Sequence, residues 1–263
     1  MTDFLAKRRK AAAEPGDTGS ARSDTPPALG VSDVAADGST QSGAVEDEIC
    51  ESIYSAILDQ RLPPGTKLSE AALCDAFITG RQRIRRVLLV LSSREVIQLH
   101  ANRGAFVAEP SAEEARAIFE ARRAIEPTII RNVCRFSTKE DISYLKVLVK
   151  QEQIARAQNN RHQAIRLSGG FHVSLAEMSR NQVFERIIKQ LVARTSLIIG
   201  LYGKHNHVHC AEDEHGELVN AIARRDEEKA SALMLDHIHH IEHEIDLGSR
   251  GKTQIDLKKI FKT

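Results

Sequence analysis

The amino-acid sequence predicts a mostly α-helical protein, in which an N-terminal winged helix-turn-helix is followed by an all-α antiparallel helical bundle. Two observations predict the first part. A helix, a glycine-containing turn and a second helix occupy 69–91, and two short strand-like segments follow at 96–109. A third observation predicts the second part, because apolar residues recur at helical spacing from 111 to about 247 and no strand-like alternation remains.

The composition is that of a globular chain. Its 263 residues are enough for two ordinary domains, with 41% hydrophobic and 28% charged residues. No segment approaches the roughly 20 apolar residues that span a bilayer, and no apolar stretch follows the N-terminus. We therefore expect a cytoplasmic protein that does not contact membranes. The four cysteines (Cys50, Cys74, Cys134 and Cys210) lack paired spacing, so we interpret them as small hydrophobic residues.

The chain divides into four predicted segments: a disordered tail at 1–43, a winged domain at 44–110, a helical domain at 111–247 and a flexible C-terminal tail at 248–263. The first segment is polar and contains too few large apolar residues to offset the entropy of ordering. Its basic cluster at 7–10 is either a weak attraction for DNA or a solvated run of charge. The winged domain opens with a helix whose apolar positions include Ile49, Ile53 and Ile57.

The segment 81–91 is the centre of the winged domain. Ile84, Val87, Leu88 and Leu91 form one apolar stripe along a helix, and arginines lie on the other side. Arginine holds phosphate bidentately and reads guanine in the major groove, although a solvated basic face is the alternative. Net charge is only +1, but six arginines and a single acid lie between 81 and 103, so the positive charge is local.

The strand-like segments 96–100 and 105–109 predict a β-hairpin, which after a helix-turn-helix is a wing. Gly104 supplies the positive φ that its turn needs, and Arg103 lies at its tip, where it can reach the minor groove or phosphate.

Residues 57–107 resemble the winged helix-turn-helix of GntR-type bacterial transcription regulators. The matching residues include Pro64-Gly65, Leu68-Ser69-Glu70, the helix with Arg81 and Arg85, and the wing Asn102-Arg103-Gly104-Ala105. The resemblance implies operator DNA as partner. The DNA-binding residues that we predict are Glu70, Arg81, Gln82, Arg83, Arg85, Arg103 and Gly104. Gly80, Gln82 and Arg83 stand where the family usually has Ser, Thr and Pro, so we expect a different operator, with Arg83 adding a phosphate contact.

The second half resembles the ligand-sensing FCD domain of the FadR branch of that family. The resemblance is carried by IFEARRAIEP (118–127), FHVSLAEMSRN (171–181), DEHGELVNAIARRDEEKA (213–230) and MLDHI (234–238). It implies a divalent metal, zinc or nickel, held by His172, His215 and His237. Ser168 stands where the family's usual Asp would complete the ligands. The alternative is that the histidines line a polar cavity without metal.

The same resemblance implies a small carboxylate effector, with Arg122, Ser168 and Asn181 as effector-binding residues. Each has an alternative or a complication. Arg122 has the spacing for an internal salt bridge to Glu126, and Asn181 for capping the following helix. Gly169 and Gly170, beside Ser168, predict a locally irregular helix. Two further histidine clusters, at 205–210 and at 237–243, are interpreted as surface residues apart from His237.

The function that these expectations imply is a homodimeric transcriptional repressor, whose operator binding is modulated by a metabolite in the helical domain. No catalytic residue is predicted. One alternative is a metal-dependent hydrolase that uses the three histidines, but no motif places a general base. The other is a DNA-binding protein that senses nothing, which a helical domain without a cavity would favour.

Overall fold

The computed structural model describes residues 38–203 and 213–248. The tail at 1–37, the cluster at 205–210 and residues 249–263 lie outside this part of the chain. The N-terminal elements are α1 (Gly38–Leu58), β1 (Lys67–Leu68), α2 (Glu70–Phe77), α3 (Arg81–Ser93), β2 (Ile97–His100) and β3 (Gly104–Val107). Helix α1 begins before residue 44, so the prediction of a disordered tail reaching residue 43 is wrong for its last residues.

The predicted hairpin is present, and one strand was missed. β2 and β3 pair antiparallel with Ile97 opposite Val107 and His100 opposite Gly104. Gly104 has φ +90°, as its place in the turn predicts. β1 adds to the other edge of β3, giving the order β1-β3-β2. β1 has only two residues, so it is too short to show an alternating pattern in the sequence.

The helix-turn-helix forms where the sequence predicts it. The hydroxyl of Ser69 caps α2 by accepting from the backbone N–H of Ala72 at 3.5 Å. Ile78 adopts the left-handed conformation in the turn, with φ 48°, and Gly80 precedes α3 with extended backbone. The predicted apolar stripe of α3 is fully buried, and it packs in one core with α1 and the wing. The opposite side of α3 is thereby left to solvent.

The second part is wholly helical within the described residues. It comprises α4 (Ala112–Phe136), α5 (Lys139–Ala157), α6 (Arg161–Met178), α7 (Gln182–Tyr202), α8 (Glu214–Ala223) and α9 (Glu227–His243). Capping boxes open α4 at Ser111 with Glu114 and α5 at Thr138 with Asp141. These helices enclose a core of their own, so the predicted fold class is confirmed. No helix of the described part combines the length and hydropathy needed to traverse a bilayer.

Helix α6 runs unbroken through Gly169 and Gly170, so the expected irregularity is absent. A Cβ on Gly169 would lie 2.8 Å from Cγ1 of Val192 on α7. Glycine therefore allows α6 and α7 to approach closely at this level. On another face, α7 contributes Ala193 and Leu197 to the core of the winged part. Helix α7 thus packs against both parts of the molecule.

Candidate DNA-binding surface and metal centre

The outward face of α3 is a cationic surface. Arg81, Gln82, Arg85 and Arg86 are exposed, and Arg83 is half-buried beside them. At the wing tip, Arg103 and Gly104 are exposed, and the guanidinium carbon of Arg103 lies 5.7 Å from the centre of the Phe106 ring. The residues predicted to contact DNA from α3 and the wing are therefore available to a ligand. Their role in binding DNA stays a prediction.

Acidic side chains lie among these arginines. Glu70, at the start of α2, accepts from Nε of Arg85 at 3.0 Å. Glu46, on α1, accepts through one oxygen from both Nε and Nη2 of Arg86, at 3.0 and 2.5 Å. Glu70 is among the residues that the sequence predicts to bind DNA, whereas Glu46 is not. Glu46 is 40 positions from Arg86, so no helical spacing connects the two residues.

Three histidines converge inside the helical part. His172 lies on α6, His215 on α8 and His237 on α9, and all three are buried. The Nε2 atom of His237 is 3.1 Å from Nε2 of His172 and 3.1 Å from Nε2 of His215. Two nitrogen ligands on a tetrahedral zinc ion, each at about 2.0–2.1 Å, would be about 3.3 Å apart. The predicted trio therefore forms a group with the spacing of metal ligands.

Each of these histidines is also held from its other nitrogen by a glutamate. Nδ1 lies 2.5 Å from Glu126 in His172, 2.7 Å from Glu152 in His215 and 2.7 Å from Glu214 in His237. Such carboxylates orient metal-binding imidazoles and raise their basicity. From the sequence, Glu126 is expected only as a partner of Arg122, and no role is predicted for Glu152 or Glu214. Each carboxylate comes from a different helix than its histidine, so spacing along the chain cannot reveal the pairs.

The protonation of the carboxylates determines which nitrogen of each ring carries hydrogen. Burial raises the pKa of these acids, but their partners outweigh it. Arg122 and His172 hold the pKa of Glu126 well below its usual range, and the pKa values of Glu152 and Glu214 fall to about 2. His215 and Arg156 lower the pKa of Glu152. His237 and His240 lower the pKa of Glu214. An ionised carboxylate only accepts hydrogen bonds, so each Nδ1 donates.

It follows that in neutral imidazoles all three Nε2 lone pairs point at one another. Burial lowers the pKa of His172, which keeps that ring neutral. Nitrogen lone pairs about 3 Å apart repel unless a proton or a cation lies between them. A divalent cation bound by the three Nε2 atoms would remove this repulsion, so the residues present fit a metal. The three carboxylates already bond Nδ1 atoms, which leaves further ligand positions to water or to an anion.

A cavity of about 60 Å³ opens beside His172. Its polar lining includes Arg122, Ser168, Thr195 and Ser196. It has room for a few water-sized groups, since a cavity needs about 10–15 Å³ to hold one water. Two residues predicted to bind an effector, Arg122 and Ser168, therefore share one cavity with a histidine of the trio.

Arg122 forms the internal salt bridge that is one of its two predicted roles, and it also lines the cavity. Its Nε donates to Glu126 at 2.6 Å, and Nη1 donates to the Thr195 hydroxyl at 3.3 Å. Its Nη2 is buried and has no hydrogen-bond partner among the residues that the structure describes. A buried donor without a partner costs about 1–3 kcal/mol, so an acceptor that enters the cavity would be stabilised there.

Asn181 lies elsewhere, at the start of α7. Its side-chain oxygen accepts from the backbone N–H groups of Val183 and Phe184, at 3.0 and 3.3 Å. It is not among the residues that line the cavity. The geometry therefore favours the capping role for Asn181 over contact with an effector in this cavity.

A winged helix-turn-helix joined to a helical bundle with its own cavity defines a DNA-binding regulator with a separate ligand-sensing domain. The comparisons with known proteins agree. Residues 45–107 match the family described as bacterial regulatory proteins, gntR family, and residues 117–240 match the FCD domain. The chain therefore carries a DNA-binding domain of the gntR family of bacterial regulatory proteins, followed by an FCD domain.

The similar proteins are also regulators. The chain is 24% identical to the HTH-type transcriptional repressor RspR of Escherichia coli, over 76% of this chain and 89% of that protein. It is 26% identical to the HTH-type transcriptional repressor NanR of an Enterobacter species, over 79% and 89%. The structure of E. coli McbR/YncC has the same fold, with a TM-score of 0.65, 18% identity and coverage of 76% and 93%. RspR and NanR are named transcriptional repressors, which favours a regulator over the hydrolase alternative.

Proposed function

We propose that this protein is a homodimeric, metal-containing repressor whose operator binding responds to a small carboxylate. The observation that carries the proposal is the convergence of three Nε2 atoms, each ring held by a glutamate, beside a cavity with an unpaired Arg122 nitrogen. The cavity also argues against a protein that senses nothing. Repression is proposed because RspR and NanR are named repressors. Action on chromosomal DNA implies a cytoplasmic location.

His172, His215 and His237 would hold the metal, which when bound supplies a positive charge and open positions for an anionic ligand. Arg122 would orient an effector carboxylate through Nη2, and Ser168 would donate or accept a hydrogen bond. The remainder of the cavity lining is largely aliphatic and includes Ile165, Val192, Ile199, Ile241 and Ile245. We therefore propose a compact organic acid with one carboxylate and a small apolar part.

The signal would pass to the winged domain through α6 and α7, which are two of the helices that line the cavity. On α6, Arg166 lies 3.4 Å from Asp59, just after α1. On α7, Arg194 donates to Glu95 at 2.5 Å. An effector that binds one arrangement of these helices more tightly than another shifts the population of the DNA-competent state. In a dimer, two recognition helices would then meet the half-sites of a palindromic operator.

The metal is tested by elemental mass spectrometry of purified protein, before and after incubation with Zn²⁺ or Ni²⁺ and removal of the excess. We expect near-stoichiometric metal in the wild type and its loss in the His172→Ala/His215→Ala variant. The matched control is His239→Ala/His243→Ala, which removes two exposed histidines of α9 and should retain the metal. Wild-type protein that holds no metal after incubation would overturn this part of the proposal.

The DNA surface is tested with an operator selected from random duplexes by the wild-type protein. Arg85→Ala should weaken operator binding by about 1–3 kcal/mol and relax base preference, if Arg85 leaves Glu70 to read a base. The control is Arg135→Ala, whose exposed guanidinium pairs with Glu227 in the helical part. Unchanged operator affinity in a folded Arg85→Ala protein would remove Arg85 from the contact surface.

A further inference from the structure

Glu46 pairs with two arginines of α3, Arg83 and Arg86. One of its oxygens accepts from Nε and Nη2 of Arg86, and the same oxygen lies 3.7 Å from Nε of Arg83. Glu46 belongs to α1 and is about one-fifth exposed, whereas the Arg86 side chain is about half exposed. Glu46 therefore occupies the forked face of Arg86 that a phosphate group would otherwise take.

The position of Glu46 gives it an effect on DNA binding that needs no contact with a base. Arginines bound to phosphate release counterions, and this release drives binding to any sequence. A carboxylate that holds Arg86 and Arg83 competes with phosphate for both, and its own charge repels the DNA backbone. By contrast, Arg81 makes no ion pair within the described part of the chain. Of the four arginines on α3, two are therefore restrained by one acid.

We propose that Glu46 is a specificity-determining residue that limits non-specific DNA binding by competing with backbone phosphate for Arg86 and Arg83. The inference rests on the proposed DNA-contacting surface of α3. Arg81, which makes no ion pair within the described part of the chain, is not opposed in this way, and Arg85 is paired with a different acid, Glu70. The carboxylate thus lowers affinity for all sequences and increases the relative weight of base contacts in choosing the operator.

The test is Glu46→Gln, which keeps the size of the side chain and removes its charge. Binding to a random-sequence 20-bp duplex is measured by fluorescence anisotropy across a salt series. We expect about tenfold tighter binding at low salt, and a slope of log K against log salt that is steeper by about 1–2. The matched control is Glu51→Gln on the same helix, which releases Arg94 at the far end of α3 from a 2.8 Å pair. It should change the binding much less.

A double variant identifies the released cation. In Glu46→Gln/Arg86→Gln most of the gain should disappear, because Arg86 is no longer present to take the phosphate. Binding by Glu46→Gln that equals or falls below the wild type would overturn the inference, and so would an equal gain in Glu51→Gln. Arg81→Ala tests the surface itself. If Arg81→Ala weakens binding while Glu46→Gln leaves it unchanged, only the role of Glu46 fails.

Discussion

Thr195 and Ser196 are consecutive residues of α7 that contact different parts of the molecule. The Thr195 hydroxyl accepts a hydrogen bond from Arg122 in the cavity wall at 3.3 Å. The carbonyl oxygen of Ser196 accepts from Nε2 of Gln60, in the winged part, at 3.1 Å. A shift of α7 caused by a ligand at Arg122 would therefore displace the acceptor of Gln60 directly. This relationship connects the cavity wall to the winged part through adjacent residues of one helix.

Gln60→Asn is expected to weaken the coupling between the cavity and the winged part without unfolding either part. Gln60 has φ 55°, which Asn tolerates, but the shorter side chain cannot reach the Ser196 carbonyl. The ratio of DNA affinities with and without saturating Zn²⁺ should move towards one, by up to about fivefold for the loss of one hydrogen bond. Fluorescence anisotropy on the selected operator measures this ratio. Gln151→Ala, an exposed change on α5, is the control. A wild-type ratio of one, or an unchanged ratio in Gln60→Asn, would contradict the coupling.

Arg122→Ala is expected to destabilise the fold far more than the same change at the next residue. Removing Arg122 leaves the Glu126 carboxylate buried with only His172, and breaking a buried ion pair in this way costs about 3–5 kcal/mol. Arg123→Ala removes a more exposed pair with Glu242 and should cost less than about 1 kcal/mol. Urea denaturation followed by circular dichroism compares the two. Similar free energies of unfolding for both variants would show that the buried pair contributes little.

Glu214→Gln is expected to weaken metal binding although Glu214 is assigned no metal contact. Its carboxylate accepts from Nδ1 of His237, and neutralising such a partner typically lowers metal affinity by 10–100-fold. The control is Glu217→Gln, an exposed change on the same helix. Competition with a chromogenic chelator gives both affinities. Equal zinc affinity in the two variants would mean that Glu214 does not support the centre.

Ser168→Asp is expected to raise metal affinity in the absence of any effector. Residue 168 lies one turn before His172 and lines the same cavity, so the new carboxylate can reach the metal. An added anionic ligand should increase affinity at least about tenfold, or roughly 1.4 kcal/mol. Gln163→Glu adds the same charge to an exposed position of α6 and is the control. The chelator competition would contradict the expectation if Ser168→Asp bound zinc no more tightly than the wild type.

Local patterns explain why so much of the fold was predictable. Helix α3 carries its stripe at helical spacing, and Ser111 and Thr138 precede acids at the spacing of a capping box. These features depend on residues within one or two turns, so they can be read from the chain. The first helix was less predictable, because residues 38–43 lack the apolar positions that mark a helix and yet continue α1.

The amino-acid sequence by itself determined the helices, the wing and, through family resemblance, the three histidines as a group. Only the tertiary structure decided which carboxylates hold these histidines, that Arg122 keeps one nitrogen unpaired in a cavity, and that Glu46 restrains Arg86. The physical reason is sequence distance. Most of these contacts join side chains from different helices, and the unpaired nitrogen of Arg122 depends on which partners surround it in the fold. A periodic pattern along the chain contains no information about such partners.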